Sequence, residues 1–102
     1  MSTVEIKDNA ASHRFELRAD GKLAAYAEYN TIKQGLLFTH TEVLPEHEGQ
    51  GLGSQLARFA LDDVRSRGLK AIPVCKFIAG YISRHSEYLD LVPEESRRAF
   101  LA

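Results

Sequence analysis

Between an apolar stretch and a helical one, the segment Val43–Leu56 (VLPEHEGQGLGSQL) carries a proline and three alternating glycines, Gly49, Gly51 and Gly53. Three glycines in five residues at a helix entrance are costly, each by up to about 1 kcal/mol relative to alanine inside a helix, so the turn must need them. Ahead of it, Gly35–Val43 (GLLFTHTEV) is rich in aromatic and β-branched side chains and predicts a strand. From Gly51 onward Leu52, Leu56, Phe59, Ala60 and Val64 recur at spacings of three and four. They predict a helix of about four to five turns, stopping at Arg67-Gly68. A strand that enters a helix through such a turn aims free N–H groups and the positive end of the helix dipole at one spot. A phosphate or pyrophosphate belongs there.

The rest of the chain builds a sheet around this junction. Val4–Asp8 alternates apolar and charged residues, with Val4 and Ile6 facing inward, and ends in a turn at Asn9–Ser12. Arg14–Arg18 and Leu23–Asn30 form a hairpin about Asp20-Gly21, and the polar turn Thr31–Gln34 leads into Gly35–Val43. Leu69–Val74 (LKAIPV) returns as a short strand that Pro73 either places at an edge or makes splay from its neighbour. Strand, helix and strand then make a right-handed crossover in which Gly35–Val43 and Leu69–Val74 run parallel. Lys76–His85 reads as a second helix with Phe77, Ile78, Tyr81 and Ile82 on its apolar face. Ser86–Val92 reads equally as loop or strand, and Pro93–Ala102 as a short terminal helix whose Phe100 and Leu101 pack internally or on a partner. The expected fold class is α/β (α+β): an antiparallel meander joined to a βαβ crossover, with helices on a mixed sheet.

Size and charge narrow the function. A chain of 102 residues supports one domain, 1–102, with one core. A net charge of −1 with interspersed signs gives no footprint for nucleic acid and no basic helix for a membrane surface. No run is long enough to span a bilayer, and MSTVEIKDNAASH lacks the plan of a signal peptide, so the expectation is a cytoplasmic protein, a monomer or weak homodimer. The single cysteine, Cys75, makes no internal disulfide and has no clustered ligands for a metal. It is a packed thiol or a working one.

The glycine spacing excludes two nucleotide motifs. Gly49-x-Gly51-x-Gly53 is neither the GxGxxG of a dinucleotide fold, whose ribose-binding acid is replaced here by Leu69–Pro73, nor GxxxxGK[ST]. The run Glu48-Gly49-Gln50-Gly51-Leu52-Gly53 instead resembles the [RQ]-x-x-G-x-[GA] pyrophosphate loop of the GNAT superfamily of acyl-CoA-dependent N-acetyltransferases. Phe38–Val43 (FTHTEV) and Ala71–Tyr88 (AIPVCKFIAGYISRHSEY) are similar to its smallest single-domain members, which carry a cysteine after that strand and Tyr-Ile-x-x-His in the helix. Together these blocks cover about half the chain. Glu48 departs from the pattern, standing where the superfamily has Arg or Gln and leaving more of the work to backbone N–H groups. Asn9–His13 is too short for the helix pair that walls the acceptor site in larger members, so the acceptor groove should be open.

The resemblance implies acetyl-CoA as cosubstrate, an amine as acceptor and no metal. It places Val43, Glu48, Gly49, Gln50, Gly51, Leu52, Gly53, Ser54 and Tyr81 at the cofactor, and sets the pantetheine arm between the two parallel strands where they part. Cys75 would meet the thioester there, as proton donor to the CoA sulfur or as nucleophile. His40 and Glu42 share a strand face by the two-residue period, so one of them can deprotonate the amine or orient Cys75. Structural readings stand beside these: Cys75 as an inert packed thiol, His40 and Glu42 as ordinary strand residues, Tyr81 as core. At the level of function, the alternative is a non-catalytic module that binds or senses acyl-CoA.

Overall fold

A computed structural model describes residues 3–101. Five strands, β1 (Val4–Asn9), β2 (Arg14–Ala19), β3 (Lys22–Ile32), β4 (Gly35–Val43) and β5 (Lys70–Pro73), lie side by side in chain order. The first four pair antiparallel, and β5 runs parallel to β4 from Gly35↔Lys70 to Phe38↔Pro73. The β2–β3 turn is Asp20-Gly21 with positive φ at both residues, which matches the twist of a hairpin. Three helices follow β4: α1 (Leu52–Ser66), α2 (Lys76–Arg84) and α3 (Glu94–Phe100). A 3-10 turn, Ala10–Ser12, fills the short β1–β2 connection.

Helix α1 lies across all five strands, and α2 packs on β4 and β5. Its inward side chains, Leu52, Leu56, Ala57, Ala60, Leu61 and Val64, meet Phe15, Leu17, Ala25, Ala27 and Phe38 of the sheet in one buried core. The opposite sheet face is polar at β2–β4. Glu16 is buried there, accepting from Arg14 Nε at 2.7 Å, and from Arg18 and Asn9 at 3.3 Å each. Burial raises its carboxyl pKa, but the hydrogen bonds from Arg14 and Asn9 and the two arginine charges outweigh that and hold it below the ordinary value. The Arg14 guanidinium lies over the Tyr26 ring, 4.8 Å from its centroid.

Several expectations are corrected. Val4 is exposed, because β1 is an edge strand reached by α1 chiefly at Ile6. Phe59 sits at the margin of the α1 stripe, 37 % exposed, while Leu61 and Ala57 fill the core positions. Ser86–Leu91 is a 3-10 helix rather than loop or strand, burying Tyr88 and Leu91 three residues apart. Leu101 packs on the core while Phe100 is exposed, and Ala102 lies outside the described residues. Among the described residues no helix is long and apolar enough to cross a membrane, and no three His, Cys, Asp or Glu side chains cluster as metal ligands.

Candidate active site

The strand–turn–helix junction closes as the sequence pattern requires. After β4 the chain makes a 3-10 turn, Pro45–His47, and reaches α1 through Gly49 and Gly51 at φ of 81° and 73°. A side chain at either position would be strained by the left-handed backbone, although nothing crowds the space around it. Gly53 is needed for another reason. A Cβ there would stand 2.6 Å from Phe77 Cζ and 3.2 Å from Val43 Cγ2, so two neighbours press on its bare Cα.

Among the described residues no side chain caps α1. Its first intrahelical bond runs from Gln55 N–H to Gly51 O at 3.2 Å, leaving the N–H groups of Leu52, Gly53 and Ser54 outside the helical ladder. Its first turn holds no acidic residue. These groups border a cavity of about 230 Å³ lined by Val43, His47, Glu48, Gly49, Gly51, Leu52, Gly53, Ser54 and Phe77. Seven of the nine residues expected at the cofactor therefore converge on one hollow. Gln50 and Tyr81 do not line it. Tyr81 is buried with its ring stacked on His85, centroids 4.1 Å apart, and 6.0 Å from Tyr88. Burial raises its phenol pKa. His47 and Phe77 were not among the expected cofactor residues; Phe77 sat in the apolar pattern of α2, but nothing in that pattern says that it leaves the core for Gly53.

The second group of residues is set by an irregularity in β4. Across β3 and β4 the pairs are Tyr29↔Phe38, Glu28↔His40 and Ala27↔Thr41, so Thr39 is an extra residue. The bulge reverses the phase of the strand. Phe15, Ala27 and Thr41 stand in one cross-strand row on the helix-covered face, whereas Arg14, Glu28 and His40 form a row on the open face. His40 and Glu42 do share a face, with Nε2 and Oε1 3.2 Å apart and both side chains about half exposed. That face is not the one on which Cys75 lies. Cys75 instead approaches Thr41, Sγ to Oγ1 at 3.3 Å, and neither His40 nor Glu42 is bonded to it.

Strand β5 pairs with β4 only as far as Phe38, and the Cys75 N–H closes the pairing with a 2.9 Å bond to Phe38 O. Beyond it, the side of β4 that faced β5 has no strand partner from Thr39 to Val43 among the described residues. This edge of β4 runs from the residue bonded to Cys75 to Val43, which lines the cavity at the start of α1.

A family model described as GCN5-related N-acetyl-transferase matches residues 14–91, which include β2–β5, α1, α2 and every residue of the junction. The chain belongs to this family. A streptothricin acetyltransferase of Streptomyces lavendulae is 44 % identical over 52 residues, 49 % of this chain and 28 % of that protein. The chain thus spans little more than a quarter of that relative's length. In fold it is similar to the crystal structure of the ribosomal-protein-S18-alanine N-acetyltransferase of Escherichia coli, with a TM-score of 0.56 at 22 % identity over 69 % of this chain and 63 % of that one. The five-stranded mixed sheet with its helices is the fold of a GCN5-related acetyltransferase.

Proposed function

We propose that this chain is an N-acetyltransferase that moves an acetyl group from the thioester of acetyl-CoA to an amine. The observation that carries the reading is the hollow at the start of α1, lined by Val43 at the end of the β4 edge that β5 leaves unpaired, in a chain of the GCN5-related family. An anionic pyrophosphate fits what lines the hollow: three N–H groups outside the helical ladder, a first turn without acids, and Gly49 and Gly51, whose bare Cα atoms have open space beside them through which a ligand can approach the backbone. Glu48 is exposed at the rim, free to turn its carboxylate to water. Val43 and the unpartnered side of β4 would receive the pantetheine arm, bringing the thioester toward Cys75.

Amide formation needs a neutral amine, a polarised carbonyl and a proton for the departing sulfur. The two faces of β4 divide this work. On the open face, Glu42 holds Nε2–H of His40, which leaves Nδ1 to accept the amine proton; no helix separates this pair from an incoming acceptor, so a bulky amine can reach it. On the covered face, Cys75 gives its proton to the CoA sulfur as the C–S bond breaks and the amide C–N bond forms. The candidate base stands on the other face of β4 and is not bonded to Cys75, and the acid role is the one assigned to the thiol; its place at the N-terminus of α2 keeps the nucleophilic route as the alternative, which an acetyl thioester trapped on Cys75 would reveal. A working thiol also suits the reducing cytoplasm.

Mass spectrometry after incubation with acetyl-CoA and a panel of small amines, streptothricin and peptides tests the reading. An acceptor gaining one acetyl group, with turnover abolished or strongly reduced in His40→Gln and Cys75→Ala, is the expected result. Binding of CoA without any acetylated product would leave a non-catalytic acyl-CoA module. Absence of CoA binding would overturn both.

A further inference from the structure

We infer that Thr41 is a positioning residue for Cys75, holding the sulfur at the unpaired edge of β4 and donating a hydrogen bond to it when its proton has left. The inference rests on the reading of Cys75 as proton donor. Three observations carry it. The bulge at Thr39 turns Thr41 onto the covered face, into a row whose other members, Phe15 and Ala27, are apolar and fully buried. Thr41 is itself half-buried, and among the described residues the one partner of its hydroxyl is the Cys75 sulfur at 3.3 Å. The Cys75 backbone is meanwhile fixed from both ends, N–H to Phe38 O at 2.9 Å and C=O accepting from Ala79 N–H at 3.0 Å. Rotation about χ1 is the main freedom left to the sulfur, and Thr41 selects the rotamer.

The hydroxyl serves both protonation states. While the thiol is intact, Sγ–H donates to Oγ1. Once that proton has gone to the departing CoA sulfur, the hydroxyl rotates and donates to the thiolate; Thr41 itself neither gains nor loses a proton. A hydrogen bond to the charged form is the stronger of the two, so the hydroxyl keeps hold of the sulfur through the transfer. Other charged groups bear less directly on the sulfur. Lys76, next in the chain, is exposed, and His40 and Glu42 are bonded to each other on the far face of β4. Helix α1 turns apolar side chains, Leu56, Ala57 and Ala60 among them, to the shared core.

The test is the rate of Cys75 alkylation by iodoacetamide in the intact protein, comparing wild type with Thr41→Val, Thr41→Ala and Thr41→Ser at one pH. Loss of the hydroxyl is expected to slow the reaction about fivefold in both the Val and Ala variants, while Ser stays within about twofold of wild type. A packing role ranks them the other way, since Val keeps the shape of Thr and Ser leaves a methyl-sized gap. A Val variant that reacts at the wild-type rate or faster overturns the inference, and agreement between Val and Ala guards against a folding defect in either. The alkylation needs no acyl-CoA. Slowed alkylation in a protein that acetylates nothing would therefore count against the enzymatic reading and not against Thr41. In an active enzyme, Thr41→Val should lower kcat and leave the KM for acetyl-CoA unchanged.

Discussion

Replacing Gly53 by alanine sets two effects of similar size against each other. Alanine is favoured over glycine within a helix by up to about 1 kcal/mol, and by less in the first turn where Gly53 lies. Against this, the new methyl would meet the Phe77 ring at 2.6 Å, and the ring must retreat by roughly 1 Å to regain an ordinary contact of about 3.5 Å. Phe77 is 37 % exposed, so it can swing outward, losing part of the ~1.5–3 kcal/mol that burying such a side chain contributes. Val43 Cγ2, at 3.2 Å, gives way by only a few tenths of an ångström. The balance is a net destabilisation of about 1 kcal/mol or less, a fall in melting temperature of at most ~8 °C for a domain of this size. Binding should suffer more, because Gly53 and Phe77 both line the hollow, and the new methyl and the shifted ring change the shape of its wall. Calorimetric titration with acetyl-CoA is expected to show at least tenfold weaker binding, about 1.4 kcal/mol. Wild-type affinity, within twofold, in a folded Gly53→Ala protein would refute the placement of the cofactor against this face of α1.

Two further outcomes concern the frame that holds the site. Glu16→Gln should destabilise the protein by about 1–2 kcal/mol at neutral pH by weakening the bonds to Arg14, Arg18 and Asn9; because the folded-state pKa of Glu16 is lowered, its contribution is present above the ordinary carboxylate pKa and lost as pH falls through the folded value, so urea midpoints of wild type and variant should converge in acid. Tyr88→Phe removes a 2.6 Å hydrogen bond to Asp62 and should cost about 1 kcal/mol near pH 7; burial and the Asp62 bond push the Tyr88 phenol up to about 12, so wild type loses this advantage between the ordinary tyrosine value and pH 12, and alkaline denaturation curves of the two proteins should draw together there.

What the sequence made legible, and what it did not, follows from where each signal resides. The junction from β4 to α1 could be read because the apolar period changes from two to 3.6 there, and the three glycines mark backbone that other residues resist. The β2–β3 hairpin was equally plain in Asp20-Gly21. The bulge was not: Phe38-Thr39-His40-Thr41 alternates without a break, and no glycine or proline marks the extra residue. Simple alternation therefore puts His40 on the face of Phe38, when register puts Thr41 there, and the partner of Cys75 was missed for that reason. Tyr81 was drawn to the cofactor by a family pattern, but a helix face alone does not tell a ring aimed at the cofactor from one stacked on His85. The Ser86–Leu91 turn had one clue, the three-residue step from Tyr88 to Leu91, too short to fix a period.

An acyl-CoA pyrophosphate seated on the first turn of α1 is the centre of the proposed function. Thermal unfolding of the wild-type protein with and without millimolar acetyl-CoA, beside Gly51→Ala as a variant whose left-handed turn is strained, tests it most directly. Ligand at about a hundred times its Kd stabilises by about 2.7 kcal/mol, so a rise of ~10 °C or more is expected in wild type and a clearly smaller one in the variant. A wild-type melting temperature that does not move with acetyl-CoA would contradict the proposed function.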